Sequence, residues 1–397
     1  MKILLPLTTV LLCISMLIFP KETLEAATMG LETWWTIVFP ALLPFFIIAE
    51  LFLGLGVVHF ISILLEPIMR PIFNLPGSAA FVVALGYSSG FPIGAALTAK
   101  LRNQHLCTRI EGERLISFTN NASPLFIFVA VSVGIFNNPA LGPLLAIAHY
   151  LSNLFLGFLL RYYKANDPEK NRRTINKHHL ISKSFHAMFE AQKKDGRSLG
   201  KLLSDAISKS IQSLLTIGGF IVLFAVIIDI LGTLGIRYYL EQILALIFYP
   251  LHFPDPLIKA FSGGLFEMTL GVKMVGECSA SLPLQIIGVS MIMGWGGLSI
   301  QAQVMGIISD SDLRFLPFFF TRIAHMLLAG LFTYLLLQSQ VMEVINMIVI
   351  PRIPPHPLLY VFLPWGLCLA TPVLSIIIAF FWMLISHIKD QLRKLKN

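Results

Sequence analysis

Charge is what this chain has least of: Asp, Glu, Lys and Arg make up 13% of its 397 residues. That is well under the share in an ordinary soluble domain, and it excludes a solvated globular surface over most of the length. Cysteine is also sparse. Cys13, Cys107, Cys278 and Cys368 are scattered, with no CxxC pair and no metal-ligand spacing, so a disulfide framework and a bound metal are not expected and four unpaired thiols are. Enzyme signatures are missing too. There is no Walker motif, and His178-His179 sits in a loop without matching carboxylates. The chain is therefore not expected to be an enzyme or to hydrolyse ATP, and no cofactor is implied.

What is abundant is apolar sequence: 56% hydrophobic residues and a mean hydropathy of +0.78. Uncharged runs of about 20 residues recur, the length that crosses a bilayer, so the composition describes a multi-pass membrane protein whose first partner is lipid. The net charge of +8 is no nucleic-acid footprint, because the basic residues sit in loops and the tail. Eleven Lys/Arg face four Asp/Glu between Arg161 and Lys201, and Lys389, Arg393, Lys394 and Lys396 follow at the end. Basic loops stay in the cytoplasm, so both segments are assigned to that side. Lys2 and the uncharged Ile3 to Phe19 resemble a signal sequence, but Glu25 spoils the cleavage site at Ala26-Ala27, and an uncleaved first helix is expected.

The chain reads as residues 1–33, a first helix and a polar outer loop; 34–163, a first transport repeat; 164–200, a basic, partly disordered loop; 201–340, a second repeat; and 341–397, a last membrane segment and tail. Trp34-Trp35 reads as an interface anchor, residues 59–75 as interfacial, and 283–308 and 314–338 as plain spans. Further apolar stretches at 341–350 and 358–386 bring the expectation to eight to ten membrane segments.

Three polar, glycine-rich interruptions fall inside membrane-length apolar runs: Gly86-Tyr-Ser-Ser-Gly-Phe-Pro-Ile-Gly94, Thr119-Asn-Asn-Ala-Ser-Pro124 and Gly263-Gly-Leu-Phe-Glu-Met-Thr-Leu-Gly271. Lipid cannot satisfy backbone N–H and C=O groups, so a broken helix at that depth must be buried in protein or line a cavity. Transporters hold solutes near the midplane on such discontinuous helices. Ser88 and Ser89 offer donors to a solute oxygen, although small residues also serve tight helix packing. Asn120 and Asn121 present donors and acceptors together, and interhelical hydrogen bonding is their plain alternative. Ser123-Pro124 reads as a new helix start, with proline at the first helical position and free N–H groups that suit an anion. Glu267, Thr269 and Arg322 complete the candidate binding residues: a charge at the bilayer centre is expensive and needs a cavity, an ion or a partner. Arg322 is placed to meet an anionic substrate or to pair with an acid such as Glu267. His149 reads first as a hydrogen-bonded core histidine.

The two halves echo each other. Glu50-Leu-Phe-Leu-Gly-Leu-Gly56 and Asp229-Ile-Leu-Gly-Thr-Leu-Gly235 each end a long apolar helix, and Gly86 and Gly94 are spaced like Gly263 and Gly271. Paired broken segments with weak internal symmetry point to a repeat-built secondary transporter.

In combination, Phe91-Pro-Ile-Gly94 after Gly86-Tyr-Ser-Ser, then Phe118 to Pro124, then Gly264 to Gly271 resemble the YlbJ family of sporulation integral membrane proteins, also called stage V sporulation protein V. That family carries the nucleoside-recognition (Gate) domain and is related to concentrative nucleoside transporters. The resemblance implies that Gly86–Gly94 and Gly263–Gly271 are re-entrant hairpins and that Asn120, Asn121 and Ser123 lie on an unwound helix. It implies transport of dipicolinic acid, a small anionic solute, across the outer forespore membrane. Gly294-Trp-Gly-Gly297 replaces a polar, Asn-rich segment of the nucleoside transporters, which argues against a ribose or sodium site. The expected fold is an all-α polytopic membrane protein of two diverged repeats, expected to be inverted. A nucleoside or nucleobase transporter and a non-transporting sporulation scaffold are the alternatives. A homo-oligomer and other sporulation membrane proteins stay open as partners.

Overall fold

The computed structural model describes residues 4–169 and 180–338. Among them the chain is all-helical, a polytopic α-helical membrane protein, with four helices long and apolar enough to cross a bilayer, or up to six if each bent pair is one span. The expected segments 341–350 and 358–386 and the basic tail lie outside the described residues.

The elements run α1 (Leu4–Ile18), α2 (Pro20–Thr33), a π-helical turn (Trp34–Val38), α3 (Phe39–Gly54), α4 (Val57–Phe73), α5 (Ser78–Ser89), α6 (Ile93–Asn103), α7 (Arg109–Thr119), a π-helical segment (Phe126–Ile135), α8 (Leu141–Leu160) and α9 (Leu180–Asp195). Then follow α10 (Leu199–Thr233), α11 (Ile236–Phe248), α12 (Asp255–Phe266), α13 (Met268–Glu277), α14 (Leu282–Trp295), α15 (Gly297–Ile308) and α16 (Phe315–Gln338). The order is the same in both halves: a long helix, an amphipathic one, a hairpin, a broken helix and a long helix. Gly56 and Gly235, which the sequence pairs, share a left-handed conformation (φ +69° and +72°) and each precedes an amphipathic helix. Glycine is the residue that adopts this turn without steric cost.

Three sequence expectations change. Residues 20–33 are a helix rather than an outer loop. Lys21, Glu22, Glu25 and Glu32 leave a small-residue face that packs along α10, so close that a Cβ on Gly30 would sit 3.0 Å from Ala225 Cβ. Residues 180–195 of the basic loop are also helical. They lean on α4 through Phe185 against Phe60 at 4.9 Å, and the high net charge of the segment hid this apolar spacing. The span 283–308 is present as Leu282–Ile308, one of the four counted above, but it is broken inside: Gly296 and Gly297 stand at φ +82° and +79°, so α14 and α15 are separate helical segments of it.

The largest buried cluster includes Ile127, Leu144, Val289 and Ile292, joining both halves around α8 and α16. Ion pairs tie α6 and α7 to the segment that precedes α16. Arg102 of α6 makes two bonds of 2.7 Å to Asp312 and one of 3.0 Å to Glu169. Arg314 grips the buried Glu113 of α7 at 2.6 and 2.7 Å. The Arg102 guanidinium holds the Asp312 carboxyl below the usual carboxylate range. Thr108 and Glu111 start α7 with reciprocal side-chain caps, a capping box.

Candidate functional site

Four chain breaks meet in the interior. The first hairpin turns at Gly90, where a Cβ would fall 2.7 Å from Ser123 N, and Gly86 and Gly94 both face the Thr119 carbonyl at 2.2 and 2.4 Å from where a Cβ would be. Only glycine lets the hairpin lie this close to the end of α7. Phe91, at the same tip, lies against Gly296, and Gly297 lies against Phe266, Glu267 and Met268 of the second hairpin. Each hairpin tip thus rests on the broken helix of its own half, and the two pairs touch.

At the first break, α7 stops at Thr119, Asn120 is extended and residues 120–123 are non-helical. The chain turns helical again at Pro124, with the Ser123 hydroxyl accepting from Phe126 N at 3.1 Å. Ser123 is therefore an N-cap, as its sequence context suggests. The carbonyls released at the end of α7 are taken by Arg322 of α16, which donates to Ser117 O at 2.6 Å and Asn120 O at 2.9 Å. A cation at a helix C-terminus is favourably placed against its dipole.

Asn121 belongs to a network rather than to open space. Its Oδ1 accepts from Asn153 Nδ2, its Nδ2 donates to Phe118 O at 3.2 Å, and Asn153 Oδ1 accepts from Arg322 at 3.3 Å. Asn153 also reaches Tyr87 OH at 3.3 Å. Asn120 differs: its side chain is fully buried and neither carboxamide atom has a hydrogen-bond partner among the described residues.

Two histidines face the same region. His149 Nε2 accepts from Ala122 N at 3.3 Å, so the hydrogen of the neutral ring sits on Nδ1. His325 Nε2 donates to the His149 carbonyl at 2.9 Å, leaving its Nδ1 as an acceptor. The rings are 4.6 Å apart, and both Nδ1 atoms, with Arg322 Nε and Ser89 Oγ, lack partners among the described residues. Arg322 has no carboxylate among the described ion pairs. A buried charge and several buried polar atoms without partners are costly at this depth, and together they form a locus able to take up an anion or a hydrogen-bonding ring.

The sequence candidates divide accordingly. Ser89, Asn120, Asn121, Ser123 and Arg322 come together at the first break. Ser88 turns back to Leu85 O at 3.3 Å. Glu267 and Thr269 sit at the second hairpin tip, where the Glu267 carboxylate caps α13 by accepting from Leu270 N at 2.7 Å. The pairing of Glu267 with Arg322 that the sequence allowed is not made, because Arg322 is engaged by α7. Asn153 and Tyr87 escaped the sequence reading. The trace they left was a polar run, His149 to Asn153, in an apolar span, and a tyrosine inside the first glycine motif. Gln301, on α15 beyond the Gly296–Gly297 break, is a further buried carboxamide without a partner among the described residues.

Comparison with known proteins adds the family. Residues 35–153 match the family model described as nucleoside recognition, Gate. Over 323 residues the chain is 46% identical to the sporulation integral membrane protein YlbJ of Bacillus subtilis (strain 168), covering 80% of this chain and 78% of that relative. No solved structure matches.

Proposed function

The chain belongs to the YlbJ family of sporulation integral membrane proteins, and from that premise we propose that it is a secondary transporter, not an enzyme, that carries dipicolinate across the outer forespore membrane by alternating access. The observation that carries the reading is Arg322: fully buried, bonded to two backbone carbonyls and one carboxamide, and without a carboxylate among the described ion pairs. An entering carboxylate would supply the missing counter-charge, and Asn120, His149 and Ser89 would supply hydrogen bonds. The two halves are diverged, inverted copies in this reading, and the end that carries the Arg102–Asp312 and Glu113–Arg314 ion pairs is cytoplasmic, facing the mother cell.

Flux of labelled dipicolinate into proteoliposomes of the purified full-length protein is the test. Saturable uptake above protein-free liposomes supports the proposal, and none rejects it. A second reading, nucleoside transport, is favoured by the description of the matched family model and by the two-sided hydrogen bonding of the Asn120 carboxamide. Labelled uridine in parallel decides between them.

A further inference from the structure

We propose that the cavity between α10 and the second arm of the first hairpin is a vestibule that binds a small, flat organic anion on its way to the break in α7. The proposal rests on the transporter reading above. The cavity measures about 440 Å³, within the range of roughly 300–1,000 Å³ typical of small-molecule sites. Phe46 and Phe220 supply apolar wall, and Ser210, Ser213, Thr216 and Gln303 supply polar groups. The three hydroxyl residues recur every third position along α10 and so share one face of it.

Ser210 points to a ligand. It is 1% exposed, and its hydroxyl has no hydrogen-bond partner among the described residues. A helix at this depth usually turns such a hydroxyl back onto its own carbonyls, as Thr216 does toward Gln212 O at 3.0 Å. Ser210 keeps its donor free where the cavity lies. Glu50 lines the same space, and its carboxylate is paired with Lys209 at 3.6 Å, which offsets its charge beside an entering anion. Aromatic walls and hydroxyl donors, with the Glu50 charge offset by Lys209, suit a planar ring that carries carboxylate.

The position of the cavity gives it a role. Pro92 of the hairpin tip lines it, and Gly90 of that tip lies against Ser123. The tip thus borders the cavity on one side and the break in α7 on the other. Movement of the hairpin would join the two spaces.

The test uses the full-length protein in inside-out vesicles, with its four cysteines replaced by serine and membrane abundance retained. Thr216→Cys is treated with a membrane-impermeant thiol reagent from the cytoplasmic side, and Leu215→Cys, exposed on the opposite face of the same helix, is the control. The expected result is that Thr216→Cys reacts and Leu215→Cys does not. Dipicolinate at about ten times its dissociation constant should slow the reaction by about tenfold, the factor set by site occupancy. No reaction at Thr216→Cys, or a rate that dipicolinate leaves unchanged, overturns the vestibule even where proteoliposome flux is normal. Protection by uridine alone overturns it as well, because the site would then read a neutral solute. Protection by dipicolinate without any flux keeps the site and sinks the transport reading instead.

Discussion

Replacing Arg322 with methionine separates a structural arginine from a solute-binding one. Three hydrogen bonds disappear, to Ser117 O, Asn120 O and Asn153 Oδ1, each worth about 1.5–3 kcal/mol when the donor is charged. Against that, a buried guanidinium without a counter-ion carries an effective desolvation penalty of several kcal/mol, which a methionine of similar length removes. The two terms are of similar size, so the net change in stability should be a few kcal/mol at most, and folded protein should be recovered. The solute term has nothing to offset it. A carboxylate about 4 Å from the guanidinium is held by about 4 kcal/mol at an effective dielectric of about 20, close to a thousandfold in affinity. Dipicolinate flux at sub-saturating concentration should therefore fall to background, while the melting temperature in detergent moves by a few degrees. Arg322→Lys keeps the charge but loses the planar fork, and it should retain part of the flux. Wild-type dipicolinate flux in folded Arg322→Met would refute the reasoning.

Asn120→Ala should weaken dipicolinate transport at normal membrane abundance, since its carboxamide has no protein partner to lose. Asn121→Ala should instead lower the melting temperature, by removing an acceptor from Asn153; equal effects of the two in both assays would contradict the network. Glu267→Gln keeps an oxygen for Leu270 N, so it should insert and cap α13 normally while losing transport, and unchanged flux at every pH would remove the carboxylate from the cycle. Asp312 has a carboxyl held low by Arg102, so its stabilising effect is present above the ordinary carboxylate range and is lost as pH falls through the lowered value; thermal melts at descending pH should lose this dependence in Asp312→Asn, with a change of about 1 kcal/mol at most because the side chain is partly exposed. Gly297→Ala forces a side chain into φ +79° and within 3.0 Å of Phe266 O, a strain of about 1–3 kcal/mol; an unshifted melting temperature would show that the second break can relax.

Local composition carried the first three breaks into view. Gly86 to Gly94, Asn120 to Pro124 and Gly263 to Gly271 each gather glycine, proline or amides where a helix needs none, and the chain departs from the helix at all three. The fourth break was hidden because Trp295 and its apolar neighbours keep the hydropathy of a plain span. Only the left-handed conformation of two successive glycines exposes it. The helix at Leu180–Asp195 was masked in the opposite way, by charge on its solvent side.

Membrane character, the all-helical class, the paired glycine turns at Gly56 and Gly235 and the N-cap at Ser123 were determined by the sequence itself. Each depends on a local quantity: apolar run length, backbone freedom, or a hydroxyl three residues from the amide it accepts. Tertiary structure alone assigned the partners. Arg322 went to the carbonyls of α7 rather than to Glu267, Asn121 went to Asn153, and Asn120, one residue away, was left unpaired. Spacing along one helix cannot tell which of two adjacent carboxamides faces a neighbour, because that depends on how α8 and α16 pack against the end of a helix about two hundred residues earlier in the chain.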